Sequence, residues 1–250
     1  MATFFGEVLS VYSRAVEEDD EDLDENEEDE QIRRELEEKR EVHLHWSPEV
    51  SESLKSGTKL QCSDFVLAVG HNAARFLSVY VLTSAGWDTV GHASVWNERS
   101  RPGQTGEESA CVFYRQKDNP SVLICQVTCY VAEDQLHQWT EKVFDCSSAP
   151  FLRSLHTGAF SGQPGCRSLE QPNIVTGLPA AVLNHCEVHR IAAVVYQCYS
   201  DVIGPDSVTM ETYKPALTKL GKSIQLDSSP STDVLRKFVT TTNIQSNLYI

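Results

Sequence analysis

Ser121 to Val131, which reads SVLICQVTCYV, is the stretch that decides the fold. Its odd positions, Leu123, Cys125, Val127, Cys129 and Val131, are nearly all apolar, and its even positions include Val122, Ile124 and Tyr130. Successive side chains of a strand point to opposite faces, so a strand that is apolar on both must be covered on both. That setting is a sheet layered by helices. Asp118-Asn119-Pro120 supplies the turn before the strand. After it, Glu133 and Asp134 open a segment whose Leu136, Trp139 and Val143 fall at i, i+3 and i+7. That spacing predicts a helix, and acids at its start complement the helix dipole.

The alternation continues in both directions. Phe65 to Val69 (FVLAV) reads as a buried strand ending at Gly70, and Val90 to Trp96 and Ala110 to Tyr114 read as further strands. Pro179 sits just inside the start of a helix carrying Val182, Leu183 and Cys186. Ile191 to Tyr199 reads as a strand, and Met210, Tyr213, Leu217 and Leu220 make a helical stripe that Pro215 should kink. Pro230 opens a last helix burying Val234, Leu235, Phe238 and Val239. Strand and helix in this order predict an α/β fold, a three-layer sandwich with a mostly buried mixed sheet.

Charge divides the 250-residue chain. Glu17 to Glu30 reads EEDDEDLDENEEDE, 12 acids in 14 positions. Without those 12 of the 36 acids, 24 acids face 21 bases, so a net charge of −15 becomes a body at −3. Such a run cannot bury enough apolar area to offset its ordering entropy, and it disfavours nucleic acid as a partner. Gln31 to His43 has helical spacing, with Pro48 expected to end it, and Ser51 to Thr58 reads as linker. The expected organisation is an acidic, largely disordered arm and linker over 1–59, an α/β domain over 60–240 and a flexible tail over 241–250.

The start of the chain has no basic n-region and no sustained apolar run, so no secretory signal is read there. The longest uncharged apolar stretch, Ser121 to Ala132, falls far short of the ~20 residues that span a bilayer. Cys125 and Cys129 on one strand would stand about 13 Å apart, too far for a disulfide. With Cys111 and Cys198 they read as buried thiols of a reducing compartment, and the expectation is a cytoplasmic protein, with the nucleus or the periphery of the endoplasmic reticulum as further locations. Chemistry-bearing motifs are sparse. Gly70-His71-Asn72 follows a strand but carries no G-x-G-x-x-G and no P-loop, and an ordinary strand-to-helix turn explains it. Glu133 and Asp134 read as dipole-complementing acids rather than a catalytic pair. His185, Cys186 and His189 lack a second cluster at zinc spacing, and His43 and His45 read as solvated side chains of the arm. No G-x-S-x-G elbow is present. No cofactor, metal or catalytic residue is expected.

The last three residues are different. Leu248 is an apolar knob, Tyr249 a ring with a polar tip, and Ile250 holds the terminal carboxylate. Thr240 to Leu248 contains no charged residue, so this end can enter a pocket at little desolvation cost.

Several longer runs carry a resemblance. They are Ala2-Thr3-Phe4-Phe5-Gly6-Glu7-Val8 ahead of the acidic arm, Val95-Trp96-Asn97-Glu98, Asn119 to Asp134 (NPSVLICQVTCYVAED), Leu169 to Val175 (LEQPNIV), Leu178 to Leu183 (LPAAVL) and Thr242 to Tyr249 (TNIQSNLY). In these the chain resembles the proteasome assembly chaperones over almost its whole length. The resemblance implies a non-enzymatic protein that pairs with proteasome assembly chaperone 2, sits on the nascent ring of proteasome α-subunits, promotes ring formation and keeps regulators off. It implies a sandwich similar to the purine nucleoside phosphorylase-like fold, without that fold's active site. The runner-up is therefore a nucleoside- or phosphate-handling enzyme. It also implies that Leu248, Tyr249 and Ile250, a hydrophobic-Tyr-X terminus, dock between α-subunits with the carboxylate meeting a pocket lysine. One departure stands out. Only Asp145 to Ala149 lie between the helix ending at Phe144 and Pro150-Phe151-Leu152, where the family carries a longer stretch that includes another strand. Losing a strand from a sheet predicts unpaired neighbouring backbone.

Overall fold

The computed structural model describes residues 27–83, 85–99, 111–148, 151–154, 171–198 and 210–215, with short pieces at 169, 217, 224–227, 230, 233 and 235. Two units are distinguished, residues 1–39 and 40–250. Helix α1 (Glu27–Arg40), whose last residue is the first of the second unit, is polar almost all round, with Ile32 and Leu36 exposed one turn apart. This agrees with the helical spacing read over Gln31 to His43, although the helix stops before His43.

The second unit is built on one mixed sheet. Its strands are β1 (His43–Trp46), β3 (Asp64–Val69), β4 (Trp87–Ser94), β5 (Cys111–Gln116), β6 (Val122–Val127), β8 (Phe151–Ser154) and β9 (Ala192–Ala193), in spatial order β1-β4-β5-β6-β3-β8-β9. From β1 to β6 every pairing is antiparallel, and from β6 to β9 every pairing is parallel. A separate parallel pair joins β2 (Leu60–Gln61) to β7 (Ser147–Ser148).

The decisive stretch is β6, and all six of its residues are buried. Its side chains divide as a period of two requires. Leu123, Cys125 and Val127 join one apolar cluster with Phe65 and Leu67 of β3, while Val122 and Ile124 join another with Val66 and Ala68. The first cluster is closed by helices α4 (Leu136–Asp145) and α5 (Gly177–Val188) through Trp139, Val143, Phe144, Val182 and Cys186. The second is closed by α3 (His71–Tyr80) through Phe76, Leu77 and Tyr80, with Met210, Tyr213 and Leu217. Each large apolar side chain so buried contributes about 1.5–3 kcal/mol. Helices on both faces of a mixed sheet make the expected α/β/α layering. Gly70, at φ 88°, turns the chain from β3 into α3, a backbone angle that side chains with a Cβ rarely adopt.

Several expectations need correction. The folded unit begins at Arg40 rather than Leu60. His43 and His45 are not in a solvated arm but on edge strand β1, whose Leu44 and Trp46 pack on the core. Pro48 does not end a helix. It begins α2 (Pro48–Lys55), which replaces the expected linker and anchors itself by Val50. Pro is well placed there, because the first helical N–H has no partner to lose. The strand read over Ile191 to Tyr199 is only two residues long. Cys129 lies beyond the end of β6 and is half-buried, as is Cys198.

Cys111 and Cys125 are fully buried, with their sulfurs 3.6 Å apart across β5 and β6. Burial pushes the Cys125 thiol well up, and it pushes Cys62 and Cys186 up to about 12. Among the described residues the sheet shows no gap at this point, because Phe65, Val66 and Leu67 of β3 pair directly with Leu152, Arg153 and Ser154 of β8. Of the last two helices, Leu220, Val234, Phe238 and Val239 lie outside the described residues.

Candidate functional site

Two of the buried polar side chains, Asn97 and Gln135, meet at one corner, where β4 and β6 end and α4 begins. Gln135 closes a 3-10 turn (Glu133–Gln135) and is 2% exposed. Burying an amide is costly unless every donor and acceptor is satisfied, and here they are. Its Nε2 donates to the carbonyl oxygens of Arg40 (2.6 Å) and Trp96 (2.8 Å). Its Oε1 accepts from Asn97 Nδ2 (3.2 Å) and from the Ala132 backbone N–H (3.3 Å). Asn97, 1% exposed, also donates to the Tyr130 carbonyl (2.9 Å) and accepts from the Arg99 N–H (3.1 Å). Two side-chain amides thus tie together three chain segments.

A ridge of α4 and its lead-in grips the start of the unit. Asp134, Gln138 and Lys142 lie at i, i+4 and i+8, so they share one helix face. Asp134 takes Arg40 in a bidentate pair (Nη2–Oδ1 2.7 Å, Nε–Oδ2 3.0 Å), and Arg40 also reaches Glu98. Gln138 accepts the Val42 N–H at 2.8 Å. Lys142 donates to Glu41 (2.6 Å) and to the Val42 carbonyl (2.8 Å). Hydrogen bonding to Arg40 holds the Asp134 and Glu98 carboxyls below their ordinary range, and Lys142 does the same to Glu41. These carboxylates are mostly exposed, so the pairs fix geometry more than they stabilise. Glu133 and Asp134 act as the acids of a helix start, as their spacing implied, with Asp134 also holding Arg40.

Around this framework the chain exposes Trp96 and Tyr130, which are 40% and 43% accessible. The Arg99 guanidinium lies over the Tyr130 ring, 4.5 Å from its centroid. The corner is a clamp that holds aromatic side chains outward. The Gln135 and Asn97 amides and the Asp134 and Glu98 carboxylates are engaged with the chain itself.

The three residues singled out for docking, Leu248, Tyr249 and Ile250, lie outside the described residues. His71 begins α3 at the strand-to-helix turn. His185 and His189 stand with ring centroids 4.1 Å apart beside Phe144, and burial lowers the His185 pKa. Among the described residues no three ligating groups converge as a metal site. No described helix is long and apolar enough to cross a membrane. The clamp residues Arg40, Asn97 and Gln135 were missed by reasoning from spacing, since their partners lie far away in sequence. Asn97 and Asp134 did fall within runs that carry the family resemblance.

Helices on both faces of a mixed sheet make a fold that is also found in solved archaeal proteins. A Thermoplasma acidophilum protein of unknown function matches with a TM-score of 0.56 at 15% identity, over 80% of this chain and 92% of its own. Pyrococcus furiosus PbaB, described as an archaeal proteasome activator, matches with a TM-score of 0.53 at 11% identity, over 84% of this chain and 100% of its own. At such identities the likeness is one of fold.

Sequence goes further. The family model described as Proteasome assembly chaperone 4 matches residues 1–149 and 144–250. Proteins named Proteasome assembly chaperone 1 are similar over full length: 48% identical in Danio rerio, covering 100% of both chains, and 42% in Homo sapiens, covering 99% of both. The chain belongs to the proteasome assembly chaperone family. The two matched stretches meet at 144–149, where the resemblance implied a shortened connection. The Danio rerio alignment runs over 284 positions, so 34 of them (284 less 250) have no residue here.

Proposed function

We propose that this chain is a non-enzymatic chaperone of the proteasome α-subunit ring, working in the cytoplasm as a heterodimer with proteasome assembly chaperone 2. Leu248, Tyr249 and Ile250 dock between α-subunits. The observation that carries the reading is the full-length similarity, at 42–48% identity, to proteins named Proteasome assembly chaperone 1. Layered helices on both sheet faces support the likeness to a purine nucleoside phosphorylase-like sandwich, and the self-engaged polar corner supports a binding role.

The energetics explain why a body accompanies the peg. Burying Leu248 and the Tyr249 ring contributes roughly 1.5–3 kcal/mol each, and a charge-assisted bond to the carboxylate about 1.5–3 more. Association costs an estimated ~4–15 kcal/mol, so the tail alone binds weakly. Coupled to a body interface, its docking becomes effectively intramolecular and sets the register.

Co-expression with proteasome assembly chaperone 2, followed by size-exclusion chromatography and mass spectrometry of what accompanies the pair, tests this. The expected result is a heterodimer that brings down α-subunits. A well-behaved monomer that ignores that partner contradicts it.

A further inference from the structure

Outside the polar corner, β1 and β4 place three histidines on one exposed face of the sheet. His43 and His45 are two apart on β1, so they point the same way, and the register sets His92 of β4 directly opposite His45. All three are exposed, while Leu44 and Trp46 between and beside them turn to the core. The His45 and His92 rings stack with centroids 4.8 Å apart, and the His43 and His45 centroids stand 6.5 Å apart. The row is part of a rigid ladder, since Ser47 N–H continues the β1–β4 pairing to the Val90 carbonyl at 2.8 Å.

We infer that His43, His45 and His92 form a surface site for a borderline divalent transition ion, taking Cu²⁺ most tightly and Zn²⁺ or Ni²⁺ less so. Neutral imidazole is the commonest protein ligand for these ions, and Cu²⁺ heads the affinity order at nitrogen sites. The spacing fits. A metal–nitrogen bond of about 2.0–2.1 Å puts the ion about 3.2 Å from a ligating ring's centroid, so two rings on one ion have centroids about 4.5–5.2 Å apart at 90–110°. The His45–His92 pair already stands at that separation, and His43 must close by about 1–2 Å. As placed, the rings stack instead of converging, and no three ligating groups among the described residues surround one point. Exposed side chains change rotamer in picoseconds to nanoseconds, so turning the nitrogens inward requires no backbone movement. An ion there would fasten edge strand β1 to β4, raising thermal stability by binding the folded chain alone.

Electron paramagnetic resonance of the full chain with one equivalent of Cu²⁺ tests this. The expected spectrum shows coupling to imidazole nitrogens and is lost in the pair His45→Ala, His92→Ala, with at least a tenfold weaker affinity for Cu²⁺ and for Zn²⁺ by calorimetry. The single variant His43→Ala should keep binding but weaken it. These residues are exposed, and a thermal melt without metal should match the parent, which separates lost binding from lost folding. The pair His185→Ala, His189→Ala should leave the signal unchanged. Loss of the signal in that second pair instead, an oxygen-only spectrum from the acidic run, or full affinity in the first pair would each overturn the inference.

Discussion

Gln135 shows how one side chain can define a corner. Its amide uses two donors on the Arg40 and Trp96 carbonyls and its oxygen on two N–H groups. Gln135→Glu keeps the shape but replaces the donating end with an acceptor, facing two carbonyl oxygens in a buried site. Leaving buried polar groups unsatisfied costs about 1–3 kcal/mol each, so urea denaturation should show a loss of about 3–5 kcal/mol. Gly91 is constrained from the opposite direction. A Cβ added there would lie 2.6 Å from Trp46 Cε3 and 2.8 Å from the His45 carbonyl oxygen. The backbone oxygen cannot swing away, so Gly91→Ala should push β1 off β4 and cost about 1–3 kcal/mol by the same measurement. Equal stability of either variant with the parent would show that these contacts do not hold the edge.

Among the elements, the α4 ridge that grips Arg40, Glu41 and Val42 carries a pH dependence. Asp134, Glu98 and Glu41 have folded pKa values below their ordinary range. Depressed carboxylates stabilise the fold above the unfolded value of about 4, and that contribution fades as pH falls through it towards the lower folded values. Arg40→Gln should therefore be less stable than the parent at pH 6, with the difference shrinking as pH falls from about 5 to 3. A difference constant with pH would remove the ion pairs from the account. The same elements show what sequence could disclose. β6, β3 and α4 were legible because elements buried in the interior carry apolar residues at a clear period, as in Leu123, Cys125, Val127 and Trp139, Val143. β1 and α2 were misread because edge elements bury one face only. His43-Leu44-His45-Trp46 alternates as a strand should, yet it sits between a charged helix and Pro48, which looked like a boundary and is a helix start. The clamp was invisible because Arg40 and Asp134 are 94 positions apart. The tail motif was legible as chemistry, and its residues lie outside the described ones.

For the whole molecule, the family is shown by sequence similarity over full length, and the fold is shared with archaeal proteins at 11–15% identity. Where the resemblance implies a shortened connection, β8 is still paired to β3, so the sheet is continuous there. What the proposal adds is a division of labour, in which the body provides a broad surface and the carboxyl terminus fixes the register. Two changes to that terminus bear on this. Tyr249→Ala removes a ring and hydroxyl, and should weaken capture of α-ring intermediates. Appending one residue after Ile250 keeps every side chain but moves the carboxylate by up to ~3.5 Å, enough to break a charge-assisted hydrogen bond. The most direct measurement is capture of α-ring intermediates by the heterodimer carrying the parent or the extended chain. At equal heterodimer yield, the account predicts reduced capture by the extended chain. Capture equal to that of the parent would contradict docking through the terminal carboxylate and leave recognition to the body alone.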